Sequence, residues 1–218
     1  MSGFLPKRHL ITATLGALVA LGLSSCGTSR KDTRNTVIVS VKDQKMLVVR
    51  DGVPVKSYKV STSKFGLGDT PGSNRTPLGR MEVAQKIGCN ARPGTVFKSR
   101  RPTGEVLKPN APGRDPIVSR ILWLSGTESN NRNAFRRYIY IHGTPEERRL
   151  GTPASYGCIR MGTRDVVDLY DRIGTGAKVF VIPGSLTPPP TPAPIPTHQQ
   201  PADNIAGTRP AHAPHTNA

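Results

Sequence analysis

The chain is poor in the residues that build cross-linked or metal-bound proteins. Its 218 residues include three cysteines and five histidines, and aromatic residues make up only 5%. Three cysteines exclude a scaffold held by several disulfides. So few cysteines and histidines make a zinc site hard to assemble, and neither a metal nor a cofactor is expected. Acidic residues are scarce as well: 14 Asp and Glu stand against 31 Lys and Arg, a formal charge of +17. That charge suits an anionic partner. The arginines are interspersed rather than striped with aromatics, so nucleic acid is not the expected one. The length fits one domain with extensions.

The one long apolar run lies near the start. Residues 10–23 follow Lys7 and Arg8 and are short for a membrane-spanning helix, which needs about 20 residues. The run meets Leu23-Ser24-Ser25-Cys26-Gly27. Small residues before a cysteine at this place resemble a bacterial lipoprotein box, where a peptidase cuts before Cys26 and the cysteine is lipidated. An ordinary signal peptide containing a cysteine is the alternative. Either way the mature protein is expected to be exported, with 1–25 as the signal peptide and the polar stretch 26–35 as a tether. On the lipoprotein reading it is membrane-anchored through Cys26 and faces the periplasm or cell wall. Gly27, in place of the Asp that resembles an inner-membrane retention signal, favours the outer membrane where the host has two. At the other end, 184–218 contains nine prolines and three of the five histidines (His198, His212 and His215). Such a composition cannot bury a core, and a disordered tail is expected.

What remains, 36–183, is long enough for one core and reads as mostly β. Segments 36–41, 45–50, 53–61, 80–85, 117–124, 138–142 and 178–182 are apolar, alternating or rich in β-branched residues. Asp51-Gly52 marks a hairpin. Two helices are expected. One opens at Thr144-Pro145-Glu146-Glu147 with the residues of a capping box. The other spans 163–173, with Val166, Leu169, Tyr170 and Ile173 on one face. Segments 62–76 and 88–116 read as long loops, and long loops in a small sheet protein are often functional.

Within this domain stand one histidine, His142, and two cysteines, Cys89 and Cys158. A thiol needs a base or a positive neighbour to be a good nucleophile near neutral pH. His142 ends an apolar strand and precedes Gly143. Cys158, 16 residues later, lies in Ser155-Tyr156-Gly157-Cys158-Ile159-Arg160-Met161, just before the second helix. Gly157 lets a carbonyl approach the backbone, and the N–H groups around Gly157 and Cys158 are expected to form an oxyanion hole. A histidine and a cysteine in a β domain are also ordinary core or surface residues, and spacing alone does not decide between the two readings. Cys89 has no base in view and is expected to be a thiol outside any disulfide.

The stretch 138–161, YIYIHGTPEERRLGTPASYGCIRM, resembles the active-site signature of the L,D-transpeptidase (YkuD-type) catalytic domain family: His-Gly-Thr, then Ser-His-Gly-Cys with an Ile-Arg-Met-like continuation. Lys45-Met46-Leu47-Val48-Val49, Tyr58-Lys59-Val60-Ser61-Thr62 and Thr76-Pro77-Leu78-Gly79-Arg80 resemble the family's opening hairpin and its Thr-Pro-x-Gly strand. The resemblance spans 36–183. It implies a sandwich- or barrel-like β fold with two or three short helices near the site, and cysteine acyl transfer on peptidoglycan stem peptides, with carbapenems as acylating ligands. It implies that Cys158 is the nucleophile, His142 the base, and Gly143 the source of a carbonyl that orients the imidazole. It assigns Arg160 to substrate positioning or ordering of the site, and Ser155, Tyr156 and Gly157 to the motif around the nucleophile. Trp123, the sole tryptophan, lines the donor cleft or belongs to the core. One departure stands out: Tyr156 occupies the place where the family has histidine. A phenol still donates a hydrogen bond but is not a cation near neutral pH. Three activities fit the resemblance. They are transpeptidation, hydrolysis as an L,D-carboxypeptidase or cross-link-cleaving enzyme at the same Cys–His site, and non-catalytic wall binding by a basic lipoprotein. An activated Cys158 is expected to react with thiol reagents well below pH 8.5. The segment 36–183 holds 25 Lys and Arg against 12 Asp and Glu, so a charge of +13 belongs to the domain itself and suits an anionic wall surface.

Overall fold

A computed structural model describes residues 30–186 and Gly3. Apart from Gly3, the expected signal segment, Cys26, the start of the tether and the tail beyond Leu186 lie outside the described residues.

Three strands open the domain as an antiparallel meander: β1 (Asn35–Ser40), β2 (Lys45–Arg50) and β3 (Val53–Ser61). Their alternation decides the register. Val37 lies opposite Val48 and Val39 opposite Met46, and all four side chains are fully buried. A one-residue slip would turn this apolar set to solvent. β4 (Gly79–Ile87) pairs with β10 (Lys178–Ile182), and β10 runs parallel to β1. β7 (Ile117–Gly126) joins β4 to β8 (Tyr140–Gly143), and β9 (Ile159–Met161) lies between β8 and β3. The β4–β7 pairing closes the ring β4-β10-β1-β2-β3-β9-β8-β7, a barrel-like sheet with no open edge among these strands.

β7 is buried on both faces, which is why ILWL reads as a continuous apolar run. Leu122 and Leu124 join Ile141, Ile159 and the meander in the main core, to which α1 (Asp165–Arg172) adds Val166, Leu169 and Tyr170. Ile121 and Trp123 face the other way and form a smaller cluster with Phe97 and Tyr140. Lys86 Nζ closes the end of α1 by donating to the Tyr170 and Ile173 carbonyls at 2.6 and 2.7 Å, a favourable place for a cation.

The structure departs from the sequence reading in four places. The segment 88–116 is not all loop: β5 (Thr95–Lys98) and β6 (Arg101–Val106) form a hairpin, and β5 pairs with β7. Every residue of β6 is exposed, so no apolar alternation announces it. Its turn residues Ser99 and Arg100 both have positive φ, 50° and 67°, without the Asn or Gly that signals such a turn. β9 was likewise not expected, and three residues are too few to show a period. Of the two or three short helices expected, one is α-helical and the other is a single 3₁₀ turn, Glu147–Arg149. The capping box does not close there. The Thr144 hydroxyl accepts from Glu146 N–H at 3.0 Å, but the Glu147 carboxylate accepts from Thr163 N–H at 2.7 Å. A tertiary partner has replaced the local one. The packed domain is also longer than 36–183. Asp32, placed in the tether by sequence, accepts from Gly174 N–H at 2.7 Å, and Leu186, placed in the tail, donates to Asp43 at 2.7 Å.

The segment 62–76 is a loop, as expected, but a firmly held one. Asp69 and Arg137 form an ion pair at 2.9 Å, with side chains 6% and 8% exposed. Arg137 also donates to the Gly68 and Arg75 carbonyls at 3.0 and 2.7 Å, and Asn133 N–H donates to Asp69 at 2.7 Å. Removing one member of a buried pair leaves the other charge uncompensated. Asp69→Ala is therefore expected to cost about 3–5 kcal/mol in urea unfolding. A loss below about 1 kcal/mol, the value of a surface pair, would show that this loop is not anchored through the pair.

Candidate active site

β8 and β9 run parallel, and their register assembles the site. His142 lies opposite Arg160 and Gly143 opposite Met161. Side chains two residues apart on a strand share a face. Tyr140 and His142 on β8 therefore look the same way as Arg160 on β9 and Cys158 just before it. Ile141 and Ile159 look the other way, into the main core. Sixteen residues of sequence thus become two neighbouring strands, with the imidazole and the thiol on one face and two residues apart in register.

His142 is 6% exposed. Its Nδ1 lies 2.9 Å from the Gly143 carbonyl oxygen. A carbonyl only accepts, so Nδ1 carries the proton and Nε2 keeps its lone pair. No residue larger than glycine fits at Gly143. A Cβ at Gly143 would lie 2.6 Å from the Val118 carbonyl and 2.9 Å from Val166 Cγ1. Burial pulls the imidazole pKa down to about 4, against the opposing effect of the Gly143 hydrogen bond, so the ring is neutral at pH 7.

Cys158 packs beside Phe97, Ile121, Trp123 and Tyr140, and its thiol donates to the Tyr138 carbonyl at 3.4 Å. Burial pushes the thiol pKa up to about 11, against the Tyr140 N–H and the fields of Arg160 and Arg137. The resting pair is therefore thiol and neutral imidazole. The reason is desolvation, which penalises both charged partners.

The turn before Cys158 is tied shut. The Ser155 hydroxyl donates to the Cys158 carbonyl at 2.5 Å and accepts from Gly157 N–H at 3.2 Å. Gly157 N–H is thus already used, a correction to its expected place in the oxyanion hole. Gly157 has φ +117°, a conformation that favours glycine. Its carbonyl accepts from the Thr76 hydroxyl at 3.0 Å, and the same oxygen of Thr76 accepts from Ser63 N–H at 2.9 Å. Thr76, from the Thr-Pro-x-Gly stretch, pins the nucleophile turn to loop 62–76.

Tyr156 is 57% exposed. Its hydroxyl accepts from Lys64 Nζ at 3.1 Å, and the same ammonium lies 4.5 Å from its ring centroid. That hydrogen bond, and then the charge of Lys64, draws the phenol below its ordinary pKa. Where the family has a histidine, this chain pairs a phenol with a lysine.

Arg160 is 8% exposed. It faces Asp115 at 2.7 Å and Glu146 at 3.6 Å. Asp115 also accepts from the Thr144 hydroxyl. Of its two expected roles, this geometry fits ordering of the site. Asp115 was not singled out in the sequence, because a lone acid in a basic, proline-rich segment carries no pattern. Trp123 is 8% exposed. It stacks on Phe135 at 4.1 Å and donates to the Phe135 carbonyl at 3.0 Å. It is a core residue of the cluster that carries Cys158. Cys89 is exposed and outside any disulfide, as expected.

The model of the L,D-transpeptidase catalytic domain family matches residues 34–181. No curated protein matches. Similar solved structures include an L,D-transpeptidase from Mycobacterium smegmatis, at 18% identity over 68% of this chain and 58% of that one, with TM-score 0.44. L,D-transpeptidase 3 from Mycobacterium tuberculosis is 18% identical over 68% of this chain and 61% of its own, with TM-score 0.45. The L,D-transpeptidase (residues 123–326) from Xylanimonas cellulosilytica is 19% identical over 71% and 63%, with TM-score 0.44. The chain thus spans less than two thirds of the length of these relatives. The family match covers the closed sheet, both ends of the His142–Cys158 strand pair and the loops that hold it, and the chain belongs to the L,D-transpeptidase catalytic domain family.

Proposed function

We propose that the protein is a cysteine-dependent L,D-transpeptidase of the cell wall. The observation that carries this reading is the pairing of β8 with β9. It sets an imidazole with a free Nε2 on the same face as a half-buried thiol, beside a turn whose left-handed position is taken by Gly157. In the first step Cys158 passes its proton to His142 Nε2 and the sulfur attacks the carbonyl between the L-centred diamino acid and the terminal D-Ala of a stem peptide. The resting thiol leaves the Tyr138 carbonyl to do so. The Cys158 N–H and the Tyr156 hydroxyl are the donors this turn offers to the oxyanion. Collapse returns the proton to the leaving amine, D-Ala departs and a thioester remains. In the second step His142 takes a proton from an acceptor amine, which attacks the thioester and releases the thiol. Ser155, Gly157 and Arg160 shape the site, and Gly143 orients the base. On this reading the protein is exported, is held at a membrane through a lipid on Cys26, and is drawn to the anionic wall by its basic domain.

Product analysis tests the reaction. A stem tetrapeptide incubated with an acceptor stem peptide is expected to release D-Ala and yield a cross-linked species, read by mass spectrometry. Free tripeptide as the sole product, with acceptor present, would identify a carboxypeptidase on the same site instead. No release of D-Ala would leave only the non-catalytic, wall-binding reading.

A further inference from the structure

The cations of the β8–β9 face and of the loops and hairpin beside it differ in what holds them. Arg160 meets Asp115 and Glu146, Arg137 meets Asp69, and Lys64 rests on the Tyr156 hydroxyl and ring. Arg100 is different. Its guanidinium carbon lies 4.9 Å from the Trp123 ring centroid and 5.3 Å from that of Tyr138. Among the described residues, no carboxylate forms an ion pair with it. The Tyr140 hydroxyl is its polar neighbour, and Tyr140 feels both Arg100 and Cys158.

The backbone is committed to this arrangement. Ser99 and Arg100 (φ 50° and 67°) form the tip of the β5–β6 hairpin, and Tyr138 (φ 57°) is the residue whose carbonyl receives the Cys158 thiol at 3.4 Å. Two left-handed segments, one at the hairpin tip and one at Tyr138, are therefore joined by the Arg100 guanidinium over the Tyr138 ring. Such conformations are unfavourable for L-residues and tend to persist at functional sites. Tyr138 is also 52% exposed. A guanidinium has five N–H donors, so one placed over aromatic rings and bonded to the Tyr140 hydroxyl still has donors for a planar, bidentate anion.

We propose that Arg100 is a specificity-determining residue, its guanidinium on the Trp123–Tyr138 surface receiving a carboxylate of the peptide substrate beside Cys158. The peptide substrate rests on the transpeptidase reading; the anion site does not. Two carboxylates have the right chemistry, that of the leaving D-amino acid and that on the side chain of the diamino acid.

The site is tested on the full chain with Cys89→Ser, so that Cys158 is the thiol read by peptide mapping. Cys158 is alkylated with iodoacetate and, separately, with the neutral iodoacetamide. The ratio of the two rate constants is expected to fall about tenfold in Arg100→Gln, the scale of one charge-assisted hydrogen bond, and to recover in part in Arg100→Lys. If Arg100 merely supports the aromatic surface, both reagents change alike and the ratio does not move. A ratio within twofold of the parent overturns the proposal. Alkylation requires no peptide turnover, so this result is independent of the transpeptidase reading. Donor peptides then identify the carboxylate. The parent's preference for a free D-Ala terminus over its C-terminal amide should collapse in Arg100→Gln if the leaving residue is bound. The preference for diaminopimelate over lysine at the third position should collapse instead if the diamino acid is bound. Persistence of both preferences in Arg100→Gln also overturns the proposal.

Discussion

Cys158→Ala is expected to reduce acyl transfer by about 10⁴-fold or more, with the fold intact. The reaction as proposed is covalent, and among the described residues Cys158 is the thiol on the face that carries His142. Cys89 lies in the segment before the β5–β6 hairpin and is outside the β8–β9 face. Alanine also removes little packing, because Cys158 is only partly buried in the small Trp123 cluster. The thermal midpoint should stay within a few degrees of the parent. Turnover surviving in Cys158→Ala would remove the cysteine from the mechanism and leave the family fold with a different chemistry.

The second large effect belongs to His142. Glutamine at this position can keep a hydrogen bond to the Gly143 carbonyl but cannot take a proton. His142→Gln is expected to lower kcat/KM by about 10²–10⁴-fold, the usual worth of a positioned base. The pH dependence carries more information. In the folded chain the imidazole titrates near 4 and the thiol near 11. The base form therefore survives to low pH, and the acid limb of kcat/KM should lie nearer 4 than 6.5. In His142→Gln the residual rate should rise with pH as hydroxide takes over the removal of the thiol proton. The same depression links to stability. Between pH 6.5 and 4 the unfolded chain takes up a proton at this residue that the folded chain refuses, so the folded state loses stability as pH falls through that window. The shift corresponds to about 3 kcal/mol by pH 4. That loss should be present in the parent and absent in His142→Gln. An acid limb at 6.5 or above would mean that the imidazole is solvated in the working enzyme.

The neutral resting pair also explains how the site tolerates burial. An ion pair of thiolate and imidazolium would have to be desolvated on both sides. Cys158 instead donates to a backbone carbonyl, and His142 spends its proton on another. Charge then appears when substrate arrives, in a place already lined by Arg160 and Arg137, both compensated by carboxylates. The basic surplus of the sequence is thus partly internal wiring. Arg137 holds a loop, Arg160 holds the turn after the base, and Lys64 completes the tyrosine that stands in for histidine.

Much of this arrangement was legible because it rests on local rules. Alternating Val37, Val39, Met46 and Val48 predicted β1 and β2, and Asp51-Gly52 predicted their neighbour. A single histidine in the domain left one candidate base, and Gly157 before the cysteine marked a place for close approach to the backbone. Contacts that depend on distant partners were not legible. The Asp69–Arg137 and Arg160–Asp115 pairs join residues 68 and 45 positions apart in sequence, and nothing near either acid announces its arginine. The β5–β6 hairpin escaped because its turn uses Ser99 and Arg100 where a sequence signal needs Asn or Gly, and because β6 buries nothing. The failed capping box at Thr144 has the same origin: Glu147 reaches Thr163 rather than its own turn.

The proposed reaction rests on one covalent bond, and intact-protein mass spectrometry reads it most directly. The full chain and its Cys158→Ala variant are incubated with a carbapenem, and the products are weighed and mapped by proteolysis. The account predicts that the parent gains the mass of one carbapenem, located on the peptide containing Cys158, and that Cys158→Ala gains none. An adduct that persists in Cys158→Ala, or a parent that stays unmodified while it still turns over donor peptide, would contradict it.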